Sequence, residues 1–186
     1  MAICHNTNIN LIFACTFDGG IGYNNKLSWN IPQELNKFRN ITTETKDKSK
    51  RNAVIMGRKT WESIGKPLNN RLNIILTTNR NYRNDVVSNS SVFVANNLYE
   101  AVNHCEDNDI ENIYIIGGEK LYRNIFFNNY YRINSIIMSV MFYDKYNLDT
   151  YIDMEYIYAN FNIKKDMRYS HECNERLFAS FICTPK

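Results

Sequence analysis

The stretch Ala53–Thr77, AVIMGRKTWESIGKPLNNRLNIILT, decides the fold class. Its opening, Ala53–Met56, is a continuous apolar run that reads as a buried strand. It runs straight into Gly57-Arg58-Lys59-Thr60-Trp61 and a short helix. Leu72–Thr77 (LNIILT) is then a further buried strand. Upstream, Asn10–Phe17 (NLIFACTF) is a strand bounded by Asp18-Gly19-Gly20. A Gly- and Asn-rich loop follows to Asn30. Ile31-Pro32 opens a helix in which Pro suits the first turn and Leu35, Phe38 and Ile41 recur on one face. Glu44–Asn52 (ETKDKSKRN) reads as an exposed loop.

Downstream the alternation continues. Val92–Ala95 is a strand, Asn97–Glu106 has helical spacing at Leu98, Ala101, Val102 and Cys105, and Ile113–Ile116 is a strand stopped by Gly117-Gly118. Glu119–Phe127 resumes a helical pattern. In the tail, Ile133–Phe142, Tyr158–Tyr169 and Arg176–Thr184 are strand-like with no good helix between them. Strands alternating with helices, then a strand-only tail, predict an α/β fold. Its sheet is doubly wound and mostly parallel, of about eight strands, with antiparallel C-terminal strands and helices on both faces. Nothing repeats and no linker divides the chain, so 1–186 is expected to be one domain with its core at about 9–185.

Composition narrows the class. The chain has 186 residues, with 22 Lys plus Arg against 19 acids, a net of +3 that argues for neither a nucleic-acid nor a membrane partner. No apolar run reaches the roughly 18 residues of a membrane span, and the first dozen residues lack a basic start and a cleavage site. Five cysteines at irregular spacing, with no C-x-x-C, point to reduced thiols and a cytoplasmic protein. His5, His104 and His171 are scattered, with no cluster for a metal. Asparagine is abundant, 29 residues against 7 Ala, which fits an AT-rich coding sequence better than a prion-like tract.

In open α/β sheets, ligands bind beyond the carboxyl ends of the strands, so the residues after Phe17, Met56, Thr77 and Ile116 should face one crevice. Arg58-Lys59-Thr60 sits at a helix start, where free N–H groups and two cations favour a phosphate. Thr77-Thr78-Asn79-Arg80 adds donors and another cation. Each segment also reads as a solvated basic surface; facing each other, they suit a ribose 2′-phosphate. Gly117-Gly118 lets backbone approach a pyrophosphate, or is a plain tight turn. There is no G-x-G-x-x-G after the first strand and no P-loop. Two anion sites of different kinds suit NADPH better than ATP. Glu34, at the edge of the helix's apolar face, is either an exposed helix acid or a crevice acid placed for a cationic or N–H-rich ring. Trp29 and Phe38 would surround it, or simply pack in the core.

Taken together, INLIFACTFDGGIGYNNKLSWNIPQEL, AVIMGRKTWESIGKPLNNRLNIILT, IYIIGGEKLY and LDTYID resemble dihydrofolate reductase, in that order and spacing, over about residues 9–153. The final two strands are similar only in pattern. The resemblance implies NADPH-dependent reduction of 7,8-dihydrofolate to tetrahydrofolate, the source of one-carbon carriers, by hydride transfer to pterin C6 with protonation at N5. It gives Glu34 the pterin N3 and 2-amino group, Ser139 the far carboxylate oxygen of Glu34, and Trp29 an ordered water. Leu27 would lie near the reacting atoms, in a loop that closes over the nicotinamide. Ile12 and Ala14 would line the pterin slot, and Phe38, Ile64, Leu68 and Ile116 the rest of the substrate pocket. Arg71 would take the α-carboxylate of the glutamate tail. The cofactor would be met by Ala14, Ile21, Arg58, Lys59, Thr60, Thr77, Thr78, Asn79, Gly117, Gly118, Lys120, Leu121, Tyr122 and Thr150, with the Gly117–Gly118 bond cis. The resemblance also implies a monomer, a small-molecule substrate and sensitivity to antifolate inhibitors.

The chain departs from the family's pattern at four places. Ser28 stands where a proline often precedes the tryptophan, which implies a more mobile loop. Asn69-Asn70 replaces a glycine-containing turn, Ser139 replaces a threonine, and Glu119 brings a carboxylate beside the glycines. A pyrimidine reductase of the riboflavin pathway would lack the Glu34 carboxylate and the Arg71 anchor. An idle NADPH- or folate-binding module is harder to exclude, although no expected site residue is chemically silent. The length leaves no room for a fused thymidylate synthase.

Overall fold

In the computed structural model the described residues are 8–79, 81–82, 90–127, 131–142, 145–169 and 177–186. Their main sheet has eight strands in the order β5-β4-β3-β6-β1-β7-β10-β9. These are β1 (Asn8–Thr16), β3 (Arg51–Gly57), β4 (Arg71–Leu76), β5 (Val92–Ala95), β6 (Ile110–Ile115), β7 (Ile133–Met141), β9 (Phe161–Lys165) and β10 (Phe178–Pro185). The pairs from β5 across to β7 are parallel. β10 is antiparallel to both β7 and β9. A separate ribbon pairs β2 (Gly20–Gly22) with β8 (Thr150–Tyr151), a feature that the sequence patterning did not foresee.

The apolar run in β3 is buried on both faces, as read from its lack of alternation. Ala53 and Ile55 join one core cluster while Val54 and Met56 join another across the sheet. The first cluster is covered by α3 (Leu98–Glu106), α4 (Glu119–Phe127) and α5 (Met154–Asn160) through Ala101, Ile125 and Ile157. The second is covered by α1 (Pro32–Thr43) and α2 (Arg58–Ile64) through Phe38, Ile41, Trp61 and Ile64. No helix among the described residues is long and apolar enough to cross a membrane. Cys15, Cys105 and Cys183 are free thiols inside the protein; Cys4, Cys173, His5, His171 and Arg80 lie outside the described residues.

Three expectations need correction. The tail contains a helix, α5, between the ribbon and β9. Asp153 caps it by accepting from Tyr156 N at 2.8 Å, and Met154 and Ile157 are its buried positions. A seven-residue helix carries one turn pair of apolar residues, and its tyrosines read equally well as strand. The 158–169 strand is therefore confined to Phe161–Lys165. Next, α1 does not bury Leu35, which is 44% exposed; it buries Glu34, Lys37 and Thr42. Leu35 stands about 100° round the helix from Glu34 and so misses the sheet. Last, Glu44–Asn52 is not a wholly exposed loop. Thr45 and Asn52 are buried, Asn52 Nδ2 donates to the Thr42 and Glu44 carbonyls, and the Glu111 carboxylate accepts from Lys46 N and Asp47 N.

Candidate active site

A cleft of about 1730 Å³ opens where β3, β4 and β6 end, beside Ile12, Phe13 and Ala14 of β1; the residues directly after Phe17, expected to face it, do not line it. Its position follows from topology: β6 sits between β1 and β3, and the connection leaving β6 runs to α4 on one face while those leaving β1 and β3 run to α1 and α2 on the other, which leaves a gap at the sheet edge. The strand ends are stitched together, with Gly57 N donating to Gly117 O at 2.8 Å and Ile116 N to Ile55 O at 3.0 Å.

Nearly all of the sequence-nominated residues line this one cleft. On the α1 side are Ile12, Ala14, Glu34, Phe38, Ile64, Leu68, Arg71 and Ile116; on the other are Ile21, Leu27, Arg58, Lys59, Thr60, Thr77, Thr78, Gly117, Gly118, Lys120, Leu121, Tyr122 and Thr150. Three do not line it. Trp29 packs behind Ala14 with Ile31, Met141 and Phe178, its ring edge-on to Tyr146 at 5.2 Å. Ser139 is buried in β7, beneath Glu34. Asn79 is exposed beyond the end of β4, because Thr77 Oγ1 accepts its N–H and turns the chain away.

Glu34 is 6% exposed, yet it borders the cleft. Burial pushes its carboxyl above the ordinary value, and the Ser139 hydrogen bond and the charge of Lys37 pull it back down. Ser139 Oγ donates to Glu34 Oε1 at 3.0 Å and accepts from Lys37 Nζ at 2.8 Å. At the far end, the Arg71 guanidinium lies 5.8 Å from the Phe38 ring centroid and donates through Nε to Asn69 O at 3.0 Å. Its acidity is raised, to a pKa of about 10, first by burial and then by the like charge of Arg39, which also lines the cleft. Two guanidinium groups pushed together in this way are relieved by a bound anion. Asn70 makes the turn before β4 with φ 61°, the left-handed geometry Asn tolerates.

On the opposite side, the Gly117–Gly118 bond is cis. A Cβ placed on Gly57 would stand 3.8 Å from Gly118 N and 3.9 Å from Gly117 O, and one on Gly117 would stand 3.3 Å from Thr60 Oγ1. These turns therefore form a smooth backbone wall on which a ligand can lie. Arg58 makes an exposed i,i+4 pair with Glu62 at 2.6 Å and lies 5.9 Å from the Tyr82 ring centroid, surface contacts weak enough to give way to a phosphate. Glu119 also lines the cleft. The Gly19–Trp29 loop is tied down more firmly than Ser28 implied: Ser28 Oγ donates to Asn147 O at 2.6 Å, and Asn24 N to Asp149 Oδ2 at 2.9 Å. No cluster of three or more His, Cys, Asp or Glu among the described residues is arranged to hold a metal.

Patterning missed Lys37, Thr42 and Arg39. Lys37 and Thr42 are polar side chains on a buried helix face, and the only signal was their helical spacing from Glu34 and Phe38.

A mostly parallel α/β sheet with a cleft walled by two glycines on one side and a buried glutamate on the other defines the class. Comparison with known proteins is specific. The family model described as dihydrofolate reductase matches residues 8–183, and the chain belongs to that family. It is 44% identical over 115 residues to a dihydrofolate reductase of Saccharomyces cerevisiae, covering 58% of this chain and 54% of that protein. It is 41% identical over 113 residues to one from Candida albicans, with 59% and 56% covered. A bifunctional dihydrofolate reductase-thymidylate synthase of Arabidopsis thaliana is 43% identical over 120 residues, 61% of this chain and 23% of that protein. The chain thus spans about half the length of the two reductases it matches.

Proposed function

We propose that this chain reduces 7,8-dihydrofolate to tetrahydrofolate with NADPH. The observation that carries the reading is Glu34: a carboxylate at the inner wall of a cleft large enough for two ligands, fixed by a hydrogen bond from a buried serine. An acceptor so placed suits the adjacent N3–H and 2-amino group of a pterin, which present two parallel donors. Ile12 and Ala14 would bound the flat ring, Phe38, Ile64 and Leu68 would clamp the aminobenzoyl group, and the Arg71–Arg39 pair would take the carboxylate tail.

The residues across the cleft fit a phosphorylated dinucleotide: the glycine wall suits a pyrophosphate, and Arg58, Lys59 and Thr78 suit a further phosphate. When bound, the reduced nicotinamide supplies the hydride. The protein's own part is to hold the pterin flat, keep bulk water out and favour a proton at pterin N5. Burial has already raised the proton affinity of Glu34, so a carboxyl group exchanging protons with a nearby water serves that end. Trp29 Nε1 has no hydrogen-bond partner among the described residues and is suited to hold such a water. Leu27, half-exposed on the glycine-rich loop, would cover the reacting rings.

The test is loss of absorbance at 340 nm with dihydrofolate and NADPH, beside Glu34→Gln. Turnover that falls at least a hundredfold in the variant near neutral pH is expected. Tight NADPH binding without turnover in the wild-type protein would leave an idle binding module in its place.

A further inference from the structure

Beneath Glu34 lies a cation for which the proposed chemistry has no direct use. Lys37, one turn further along α1, is 3% exposed, and its Nζ donates to the same Ser139 oxygen that donates to Glu34. An ammonium has three donors and no acceptor, so the serine must accept from it. The single hydroxyl proton is thereby committed to Glu34 Oε1.

Other charged groups among the described residues also act on Lys37. Asp166, after β9, attracts it but is engaged by Arg168 at 3.0 Å, and Arg168 repels it. The rings of Tyr169 and Phe178 lie 6.0 and 5.9 Å away. Ser180 stands across from Ser139 on β10, buried and uncharged.

We propose that Lys37 is a positioning residue for Glu34: through Ser139 its charge keeps the carboxylate ionised and holds Oε1 against the sheet, leaving Oε2 for the ligand. The consequence for catalysis rests on the reductase reading; the coupling itself does not. Burial lowers the Lys37 pKa to about 8, so the device should lapse in mildly alkaline solution.

The experiment is carboxyl-¹³C glutamate NMR on the full chain, with the Glu34 signal assigned through Glu34→Gln, alongside ¹⁵N detection of the Lys37 ammonium. In the wild-type protein the Glu34 signal should show a second inflection near pH 8, where Lys37 discharges. In Lys37→Met, Glu34 should titrate at higher pH than in the wild type, and the inflection near pH 8 should vanish. KM for dihydrofolate should rise about tenfold at pH 7, as expected when a charged hydrogen-bond acceptor becomes neutral. A wild-type Glu34 signal with no inflection there overturns the proposal, and needs no variant to fold. So does a Lys37→Met titration superimposable on the wild type. If both titrations behave as expected but the wild type does not turn over dihydrofolate, the reductase reading falls and the coupling stands.

Discussion

The Arg71 guanidinium donates to Thr42 Oγ1 at 2.7 Å, bridging β4 and the last turn of α1. Thr42 in turn donates to the Phe38 carbonyl at 2.7 Å, so its hydroxyl proton is already committed and its lone pairs face the arginine. With Nε on Asn69 O, the plane of the guanidinium is set from two sides before any ligand arrives. Thr42→Val keeps the shape and removes the acceptor. KM for dihydrofolate should rise about fivefold, the worth of one hydrogen bond near 1 kcal/mol, with kcat unchanged. Steady-state kinetics decide it: equal KM values would show that Thr42 does not orient Arg71.

Cofactor choice should sit with Arg58 and Lys59. Neither is buried, and the partners of Arg58, a surface pair with Glu62 and the Tyr82 ring 5.9 Å away, are weak ones. Replacing both by Gln removes two charges from the proposed 2′-phosphate site. KM for NADPH is expected to rise at least tenfold while KM for NADH, which lacks that phosphate, stays within about twofold. If the two cofactors weaken equally, the 2′-phosphate is bound elsewhere.

Gly19 connects β1 to the small ribbon with φ 88°, and an added Cβ would stand 2.6 Å from the Ile152 carbonyl oxygen. Both the backbone conformation and the contact oppose a side chain, and the contact is with backbone, which cannot rotate away. Gly19→Ala should cost about 2 kcal/mol or more. Urea unfolding reads this as a lower midpoint with an unchanged slope; a midpoint equal to the wild type would mean that the loop repacks freely.

Stability against pH provides a check on Lys37 that involves no ligand. Its folded-state pKa, about 8, lies below the ordinary 10.5, so between those values the unfolded chain binds more protons. Stability from this group therefore rises with pH across that window. Buried Cys15 and Cys105, pushed up from 9.0 to about 12, act oppositely, because the folded state keeps their protons longer. The difference between wild type and Lys37→Met isolates the lysine. It should shift in favour of the wild type as pH rises from 8 to 10.5, by calorimetry at matched ionic strength. A constant difference would mean that Lys37 titrates normally.

Much of this was legible in the sequence. AVIM in β3 has no polar position, and a strand without alternation can only sit where both faces are covered; the two core clusters on either side of it bear that out. Element order placed the ends of β3, β4 and β6 together, and those ends line the cleft, whereas β1 meets it at Ile12, Phe13 and Ala14 and not at its end. The ribbon of β2 and β8 escaped notice because three- and two-residue strands have no period to read. Helix α5 escaped because its one apolar pair was outweighed by residues of strand preference.

The sequence by itself determined the alternation of strands and helices and the glycine pair that ends β6, and it nominated the acid and the arginine, since these depend on local patterns and on motifs at set spacing. Tertiary structure alone decided what those groups rest on. Leu35 faces solvent and Lys37 the interior, against their hydropathies, because a helix presents a face by angle and not by residue type. Whether a buried charge is tolerable depends on the groups brought against it, and those come from afar: Ser139 lies 102 residues from Lys37 in the chain and 105 from Glu34. Electrostatic environment is a property of the packed fold, and no window of sequence contains it.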